Sequence, residues 1–275
     1  MTAKHADVYD YLRHEKKFPL IWCPGCGNGI IMGSMIRAID ALSIAKDKTA
    51  VVSGIGCSGR VSTYMDFNTL HTTHGRALAF ATGLKLARPE LTVIVAMGDG
   101  DALAIGGNHL IHAARRNIDL TAIVFNNSIY GMTGGQISPT TPIGGIASTA
   151  RMGNIEPPFD IPRLAEAAGA AFVARGSTYH VDELDELMAL AIKKKGFAVL
   201  EVITPCPTIY GRYNRLGSAV NMLKQQRDNL VSMHDAQTMS PEELQSKVRL
   251  GIFADLDKPE YCAAYEELLD RVRKV

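Results

Sequence analysis

Two cysteines three positions apart are the first residues of this 275-residue chain whose types and spacing suggest chemistry. Cys23 and Cys26 lie in the stretch PLIWCPGCGNGI, just before a run of apolar residues with helical spacing. Such a pair is typical of a thioredoxin-type redox disulfide, of half a zinc site, or of two of the four thiolates that bind an iron–sulfur cluster. The pair by itself does not separate these three possibilities.

Two further cysteines stand beside glycine or proline in expected loops, Cys57 in SGIGCSGR and Cys206 in VITPCPTIYGR. A zinc ribbon usually has two close pairs, and these four cysteines form one. The thioredoxin alternative needs a βαβ context, which the short polar segment before Cys23 does not provide. The spacing therefore favours an iron–sulfur cluster, with zinc as the alternative that remains. The fifth cysteine, Cys262, lies in an amphipathic helical pattern and is expected to be a small buried hydrophobic residue.

A second group of polar residues occurs in GDGD (98–101) and FNNSIYG (125–131). Each motif follows an apolar run, and Asp99 and Asn127 are separated by one helix plus one strand. The carboxyl ends of neighbouring parallel strands meet at one edge of a sheet, so we expect these two side chains to converge. A carboxylate, an amide oxygen and a backbone carbonyl make a hard oxygen site suited to Mg²⁺, and the glycines allow close approach of a diphosphate.

Apolar runs and amphipathic segments alternate along the chain, which is typical of strands and helices that position such loops. Strands are predicted at 49–56, 91–97, 120–127, 171–176 and 197–203. Helices are predicted at 27–42, 74–89, 102–117, 161–169 and 181–195. The pattern predicts the α/β class, a mostly parallel sheet with helices on both faces and ligands at the edge that carries the strand-to-helix loops.

The chain is expected to divide at residue 217. Residues 1–216 form the α/β domain, and residues 217–275 form a C-terminal helical arm with no further strand. The sequence GIGCSG has the glycine spacing of a dinucleotide site, but the polar segment after it does not have the pattern of the helix that such a site requires.

Composition gives no reason to expect nucleic acid or a membrane as a partner. The formal net charge is +1, and 47% of the residues are hydrophobic against 21% charged. No apolar run is long enough to span a bilayer, and the polar N-terminus lacks the apolar core of a signal peptide. A cytoplasmic protein is therefore expected.

The GDGD and NN motifs, one helix and one strand apart, resemble the fingerprint of thiamine diphosphate enzymes. Together with CPGCG, GIGCSGR, LHTTHGRALAFATGLKLARPELTVIVAMGDGDALAIGGNHLIHAARRN, FNNSIYGMTGGQISPTTP and TPCPT, the chain from 19 to 216 resembles the β subunit of 2-oxoacid:ferredoxin oxidoreductases. The resemblance implies Mg²⁺ ligands at the Asp99 side chain, the Asn127 side chain and the Ile129 carbonyl. It implies thiamine diphosphate contacts at Ile55, Gly56, Cys57, Ser58, His74, Gly100, Asp101, Gly131, Met132 and Thr133. It implies one four-iron, four-sulfur cluster bound by Cys23, Cys26, Cys57 and Cys206.

The implied activity is the coenzyme A-dependent oxidative decarboxylation of a 2-oxoacid, or its reverse, with electrons passing through the cluster to ferredoxin. The motif sequences and the modest chain length resemble the 2-oxoglutarate branch of this family more than the pyruvate branch, so 2-oxoglutarate is the expected substrate. The alternatives are pyruvate or a broad 2-oxoacid range. A non-redox carboligase subunit with structural zinc and a non-catalytic scaffold subunit are the alternatives from other classes. Only the diphosphate-binding half of a thiamine site has a signature, so an α subunit is expected to supply the aminopyrimidine-binding domain, in a dimer of αβ heterodimers.

Two residues are candidates for direct roles in catalysis. Arg60 follows Cys57 on a loop at the cofactor edge, where a guanidinium could hold a substrate carboxylate. His74 opens a predicted helix in HTTHGR and could contact a diphosphate or substrate oxygen. The alternatives are a solvent-facing arginine and a capping histidine. Arg212 and Tyr213, after Cys206, are more remote substrate candidates.

Overall fold

The computed structural model describes residues 7–15 and 18–274, and within these ranges a single sheet of eight strands forms the centre of the molecule. The strands are β1 (Thr49–Ser53), β2 (Asn68–His71), β3 (Thr92–Gly98), β4 (Thr121–Asn126), β5 (Phe172–Ser177), β6 (Ala198–Ile203), β7 (Leu230–Ser232) and β8 (Val248–Asp255). Their order across the sheet is β2-β1-β3-β4-β6-β5-β8-β7. The first six strands are mutually parallel, β8 runs antiparallel to β5, and β7 runs parallel to β8.

Helices cover both faces of this sheet, which confirms the predicted fold class. They are α1 (Asn28–Ala41), α2 (Val61–Tyr64), α3 (Ala77–Ala87), α4 (Gly107–Arg116), α5 (Ile161–Ala167), α6 (Val181–Lys193), α7 (Ala219–Asn229), α8 (Met233–Ala236), α9 (Pro241–Leu244) and α10 (Tyr261–Arg273). Helices α1 and α6 pack on one face, and α3, α4 and α5 pack on the other. Among the described residues, no helix combines the length and the apolar character needed to cross a membrane.

Strand β3 shows why the sheet is buried on both sides. Ile94 and Ala96 point into the core beneath α1 and α6, whereas Val93, Val95 and Met97 point into the core beneath α3 and α4. Successive side chains of a strand face opposite sides, so a continuous apolar run satisfies both cores. The polar residues GDGD therefore begin only where β3 ends, and the site lies at this carboxyl end.

The C-terminal segment departs from prediction. It contains helices as expected, but the expectation of no further strand is wrong, because β7 and β8 extend the sheet beyond β5. Only Leu250 and Ala254 of β8 are buried on that strand, and Gly251 interrupts it, so its alternation was too weak to detect. The division of the chain at 217 stays a prediction. Cys262 is 4% exposed within α10, which confirms the expectation for it.

Two other departures lie near the site. The helix predicted from 102 begins instead with a π-helical segment, Asp101–Ile105, before α4. Such segments widen the backbone locally and are frequent at functional sites. The short edge strand β2 was also missed, because its four residues are mostly exposed and polar.

Candidate functional site

A cavity of about 230 Å³ opens at the carboxyl edge of β1, β3 and β4. The predicted cofactor and magnesium residues that line it are Ile55, Gly56, Cys57, Ser58, His74, Asp99, Gly100, Asp101, Asn127, Ile129, Gly131, Met132 and Thr133. These residues come from four separate loops of the sequence. The parallel sheet brings the loops together because consecutive crossovers return each strand to the same edge.

Asp99 and Asn127 lie side by side because β3 and β4 are parallel neighbours, with Gly98 paired to Phe125. The Asn127 amide oxygen accepts a hydrogen bond from the backbone N–H of Ile129 at 3.2 Å, which folds the NNSIYG loop back over the strand end. At this point the cavity wall includes the acid Asp99, the amide residue Asn127 and Ile129, whose backbone carbonyl is the third candidate ligand. Oxygen donors of this kind fit Mg²⁺ that retains positions for phosphate oxygens.

The Asp99 carboxylate is 3% exposed and has two hydroxyl partners. Ser138 and Thr140 each donate to Oδ2 at 2.6 Å. Burial raises the pKa of Asp99 to about 6, and the two hydroxyls oppose that rise. A bound divalent cation would favour the ionised form, so this buried acid suits a metal ligand.

Gly100 gives the cavity an open backbone wall. The Tyr130 hydroxyl donates to the Gly100 carbonyl at 2.9 Å, and the Tyr130 ring occupies the space where a β-carbon of residue 100 would stand. Only glycine leaves room for this ring while keeping the backbone N–H groups of the following helical turn accessible to an anion.

His74 and Asp101, the residue after Gly100, form a pair at the cavity wall. His74 Nδ1 lies 2.7 Å from Asp101 Oδ1, an ion-pair distance, although the direction of the N–H does not meet hydrogen-bond geometry. The backbone N–H of Gly75 donates to the same oxygen at 2.7 Å. Burial raises the pKa of Asp101, and these two partners oppose the rise. The Asp101 carboxylate would repel a diphosphate. If residue 101 contacts a diphosphate, it would therefore do so through its backbone N–H.

Two cysteines meet beside Gly131, and one of them, Cys57, itself lines the cavity. A β-carbon built at Gly131 would lie 3.6 Å from Cys206 Sγ and 3.7 Å from Cys57 Sγ, so both thiols face this one residue. Burial raises the pKa of Cys57 to about 11, and the charges of Cys206 and Cys23 add to that rise. The pKa values of Cys26, Cys57 and Cys206 are all raised by burial and in part by neighbouring thiols, which suits a site where a bound metal supplies the compensating positive charge.

The Cys23–Cys26 loop completes this group. The N–H of Cys26 donates to the Cys23 carbonyl at 3.0 Å, in a turn with Gly25 at φ +79°. Burial raises the pKa of Cys26 to about 12, with contributions from Cys206, Cys57 and Cys23. The Trp22 indole donates to the Cys57 carbonyl at 2.7 Å and thereby fixes the loop against the GIGCSGR turn.

The arrangement of the thiols bears on the zinc alternative. Among the residues that the structure describes, no three His, Cys, Asp or Glu side chains are close enough to hold a single metal ion. Four thiolates around one zinc ion would have to be that close. Of the four candidate cysteines, Cys57 and Cys206 have their Sγ atoms next to Gly131.

The remaining sequence candidates lie outside the cavity wall. Arg60 ends a turn beside Cys57, where its charge lowers the pKa of that thiol, and its Nε is buried without a hydrogen-bond partner in the described part of the chain. Tyr213 donates to the Gly134 carbonyl at 3.2 Å, and Arg212 is exposed.

Several residues around the cavity were missed from the sequence. Asn28 and Tyr130 line it, and Ser138 and Thr140 bond to Asp99. Asn28 stands directly after the CPGCG motif, and Tyr130 lies inside FNNSIYG, so their proximity to motifs was the available signal. Ser138 and Thr140 lie in an irregular segment whose path is not indicated by any periodic pattern.

Comparison with known proteins agrees with this geometry. Residues 54–202, more than half of the chain, match the family described as thiamine pyrophosphate enzyme, C-terminal TPP binding domain. The 2-oxoglutarate synthase subunit KorB of Archaeoglobus fulgidus is 52% identical over 98% of this chain and 97% of its own length. The subunit of the same name from Methanothermobacter marburgensis is 50% identical over 95% of this chain and 92% of its own length.

A solved structure extends the similarity to three dimensions. It is the 2-oxoglutarate:ferredoxin oxidoreductase from Magnetococcus marinus with 2-oxoglutarate, coenzyme A and succinyl-CoA bound. The TM-score is 0.86 at 33% sequence identity, covering 98% of this chain and 91% of that one. The similarity thus includes the C-terminal strands as well as the cavity.

Proposed function

Since the chain belongs to the β subunits of 2-oxoglutarate:ferredoxin oxidoreductases, we propose that it takes part in the coenzyme A-dependent oxidative decarboxylation of 2-oxoglutarate to succinyl-CoA and CO₂, or in the reverse carboxylation. Electrons pass to or from ferredoxin. A 2-oxoacid range that includes pyruvate is the alternative.

One observation carries the proposal. Thiols stand at the cavity wall, because Cys57 lines the cavity together with Gly131 and a β-carbon built at Gly131 would meet the Sγ atoms of both Cys57 and Cys206. A diphosphate-binding cavity without adjacent thiols would suit any thiamine enzyme. The adjacency of thiols to that cavity supports an oxidative reaction with single-electron transfer.

The chain supplies half of a thiamine diphosphate site. Asp99, Asn127 and the Ile129 carbonyl would hold Mg²⁺, and the backbone around Gly100 and Gly131 would hold the diphosphate. When bound, thiamine diphosphate supplies the electron sink for loss of CO₂, and an iron–sulfur cluster supplies one-electron transfer. The four cysteines Cys23, Cys26, Cys57 and Cys206 would hold that cluster on this chain.

Arg60 and His74 are proposed to act on the substrate side. The Arg60 guanidinium stands beside the thiols and has a buried Nε, with no partner among the residues described, so a substrate carboxylate would satisfy it. The His74 side chain is 35% exposed at the cavity wall while its Nδ1 faces Asp101, which leaves Nε2 for a diphosphate or substrate oxygen.

The site needs a second protein chain. An α subunit would close the cavity with an aminopyrimidine-binding domain, and two αβ pairs would form the enzyme. Cys23 is exposed, so the proposed cluster lies close to a surface at which ferredoxin could receive electrons. A cytoplasmic location agrees with these partners.

The test is purification of the αβ complex, followed by a panel of 2-oxoacids with coenzyme A and ferredoxin. We expect the highest kcat/KM with 2-oxoglutarate and no ferredoxin reduction without coenzyme A. Preference for pyruvate would reject the substrate assignment, and inactivity with every 2-oxoacid would reject the reaction.

Iron must also be assigned to the correct chain. Iron and acid-labile sulfide are counted in the wild-type complex and in a Cys206→Ala complex. The proposal expects the variant to lose about four iron atoms per αβ pair. Equal iron in both complexes would place all clusters on partner subunits, and zinc in this chain would support the carboligase alternative.

A further inference from the structure

A row of hydrogen-bonded polar side chains crosses the interior of the sheet from the cavity towards the C-terminal strands. It starts at Asp99 and passes through Thr140 to Asn126 at the end of β4. It continues through Glu201 on β6 to Arg175 on β5, and the pairing of the strands places these two residues opposite each other. Asn126, Glu201 and Arg175 are not among the residues that line the cavity.

The contacts along this row are short. Arg175 Nε donates to Glu201 Oε2 at 2.6 Å, and the Asn126 amide group donates to Glu201 Oε1 at 2.6 Å. Thr140 Oγ1 lies 2.9 Å from Asn126 Oδ1 and 2.6 Å from Asp99 Oδ2, and its single hydroxyl proton bonds to one of these two acceptors at a time. Glu201 is 2% exposed and Arg175 is 8% exposed, so water does not compete effectively for these bonds.

Glu201 fixes which way the Asn126 side-chain amide faces. An ionised carboxylate accepts hydrogen bonds and cannot donate, so it selects the NH₂ group of Asn126. The amide oxygen of Asn126 must then face the other way, where it accepts the backbone N–H of Ser128 at 3.1 Å. If the Asn126 amide were flipped, its oxygen would face the Glu201 carboxylate and its NH₂ group would face the Ser128 N–H, and neither contact is a hydrogen bond.

The orientation of Asn126 matters because Ser128 lies between the two proposed metal ligands of this loop. Ser128 has φ +60°, a left-handed conformation that non-glycine residues rarely adopt. Asn126 Oδ1 holds the N–H of Ser128, and the Ser128 carbonyl accepts the Thr141 hydroxyl at 2.7 Å. The strained loop that carries Asn127 and Ile129 is thus held from both sides.

The C-terminal segment encloses the charged end of the row. Arg175 Nη2 donates to Asp160 at 2.8 Å, and the Phe253 ring lies 5.3 Å from the guanidinium carbon. Both Phe253 and Arg249, whose carbonyl accepts from Arg175 at 3.4 Å, belong to β8. Protein stability alone does not explain the buried Arg175–Glu201 ion pair, because apolar residues of equal size in its place often give an equally stable core.

We propose that Glu201 and Arg175 are positioning residues for the magnesium loop, acting through Asn126 and Thr140, and that β8 shields them from water. The inference rests on the proposed magnesium role of Asp99, Asn127 and Ile129. Residues that orient metal ligands commonly contribute about 10- to 100-fold to metal affinity.

The test uses the αβ complex stripped of cofactor and titrated with Mg²⁺ at fixed thiamine diphosphate, with cofactor binding as the readout. Glu201→Gln has one side-chain oxygen for two donors, Asn126 and Arg175, so one of them loses its acceptor. We expect the Mg²⁺ concentration for half-maximal binding to rise about tenfold.

Thr140 provides a second, milder pair of variants. Thr140→Val removes the hydroxyl between Asn126 and Asp99 at nearly constant shape and should raise the Mg²⁺ requirement in the same direction. Thr140→Ser keeps the hydroxyl and should restore the wild-type requirement. A loss of affinity in the serine variant equal to that in the valine variant would contradict the inference, as would wild-type affinity in both Glu201→Gln and Thr140→Val.

Asp119→Asn is the matched control. Its carboxylate forms an ion pair with the buried Lys85 ammonium at 2.8 Å, just before the amino end of β4 and away from the cavity. This variant should lower the melting temperature and leave the Mg²⁺ requirement unchanged. An equal rise in that requirement for Asp119→Asn and Glu201→Gln would mean that global destabilisation explains both. If the wild-type complex needs no Mg²⁺ to bind the cofactor, the proposed metal site itself fails.

Discussion

Acids at the two edges of the sheet have different partners. At the amino edge, just before β4, Asp119 lies 2.8 Å from the Lys85 ammonium and 3.4 Å from Lys195. At the carboxyl edge, just after β3, Asp99 is buried with two hydroxyl partners, and burial raises its pKa. The amino end thus neutralises its charge within the chain, whereas the carboxyl end leaves an acid whose missing positive charge a ligand can provide.

Glycines show the same contrast. At the carboxyl edge, the space that a side chain would fill at Gly54 is occupied by the Asp101 carboxylate, and at Gly100 it is occupied by Tyr130. On α3 and α4, Gly83 and Gly107 have no described heavy atom within 4 Å of a built β-carbon. Packing therefore requires glycine at positions 54 and 100, whereas the space around Gly83 and Gly107 admits a side chain.

The largest effect expected at the carboxyl edge comes from Cys57→Ala. Loss of one of four thiolates should abolish ferredoxin reduction, while Mg²⁺-dependent thiamine diphosphate binding remains, because the proposed magnesium ligands and the backbone around Gly100 and Gly131 are unchanged. Ferredoxin reduction and cofactor binding are measured on the same preparation. Cys262→Ala is the control for removal of a cysteine. Wild-type ferredoxin reduction by Cys57→Ala would remove this residue from the proposed ligand set.

Gly100→Ala should weaken thiamine diphosphate binding about tenfold or more. The new methyl group displaces the Tyr130 ring, and overpacking of this kind costs about 1–3 kcal/mol, where about 1.4 kcal/mol is a factor of ten. Binding is measured by titration of the αβ complex. Gly107→Ala, with open space around it, should bind as wild type, and equal losses in both variants would erase the contrast between the two kinds of glycine.

Asp119→Ala tests the amino end. It leaves the Lys85 ammonium, 5% exposed, without its carboxylate, and the free energy of unfolding should fall by about 3 kcal/mol. Chemical denaturation of the complex gives this value. The kcat at 25 °C should equal that of the wild type, and a changed KM for the 2-oxoacid would show that this end of β4 also serves the site.

The smallest effect expected is a gain. Gly83→Ala lies on the exposed face of α3, and alanine in a helix is favoured over glycine by about 1 kcal/mol. The unfolding midpoint should rise slightly without change in activity. If Gly83→Ala lowered the unfolding midpoint, open space around a glycine would not be enough to show that alanine can replace it.

The sequence predicts the location of those site residues that directly follow a strand, because the order of strands in a parallel sheet determines where they lie. Asp99, Asn127 and Cys57 each end a strong apolar run, so parallel pairing alone brings them to one edge. Ser138 and Thr140 could not be placed, because they lie on an irregular loop with no periodicity. Glu201 and Arg175 were hidden inside apolar strand patterns, where a single charged residue gives no indication of its partner.

Strand β8 was missed for another reason. Its pairing with β5 has a register shift at Val173/Ala174, and its alternation is broken by Gly251. Burial of Leu250 and Ala254 becomes visible only when the sheet edge that they cover is known. Prediction from one sequence is weakest where an element is defined by a surface formed elsewhere in the chain.

The grouping of Cys26 and Cys206 has a consequence for chain topology. These residues are 180 positions apart, and almost the whole parallel sheet lies between them. In a protein that carries the proposed cluster, iron would act as a cross-link that closes this loop and restricts the unfolded chain, as a long-range disulfide does in oxidising compartments. Oxidative loss of the cluster would then release the segment before β1, which carries Cys23 and Cys26, from the end of β6. Redox damage would first appear as increased proteolysis near Trp22.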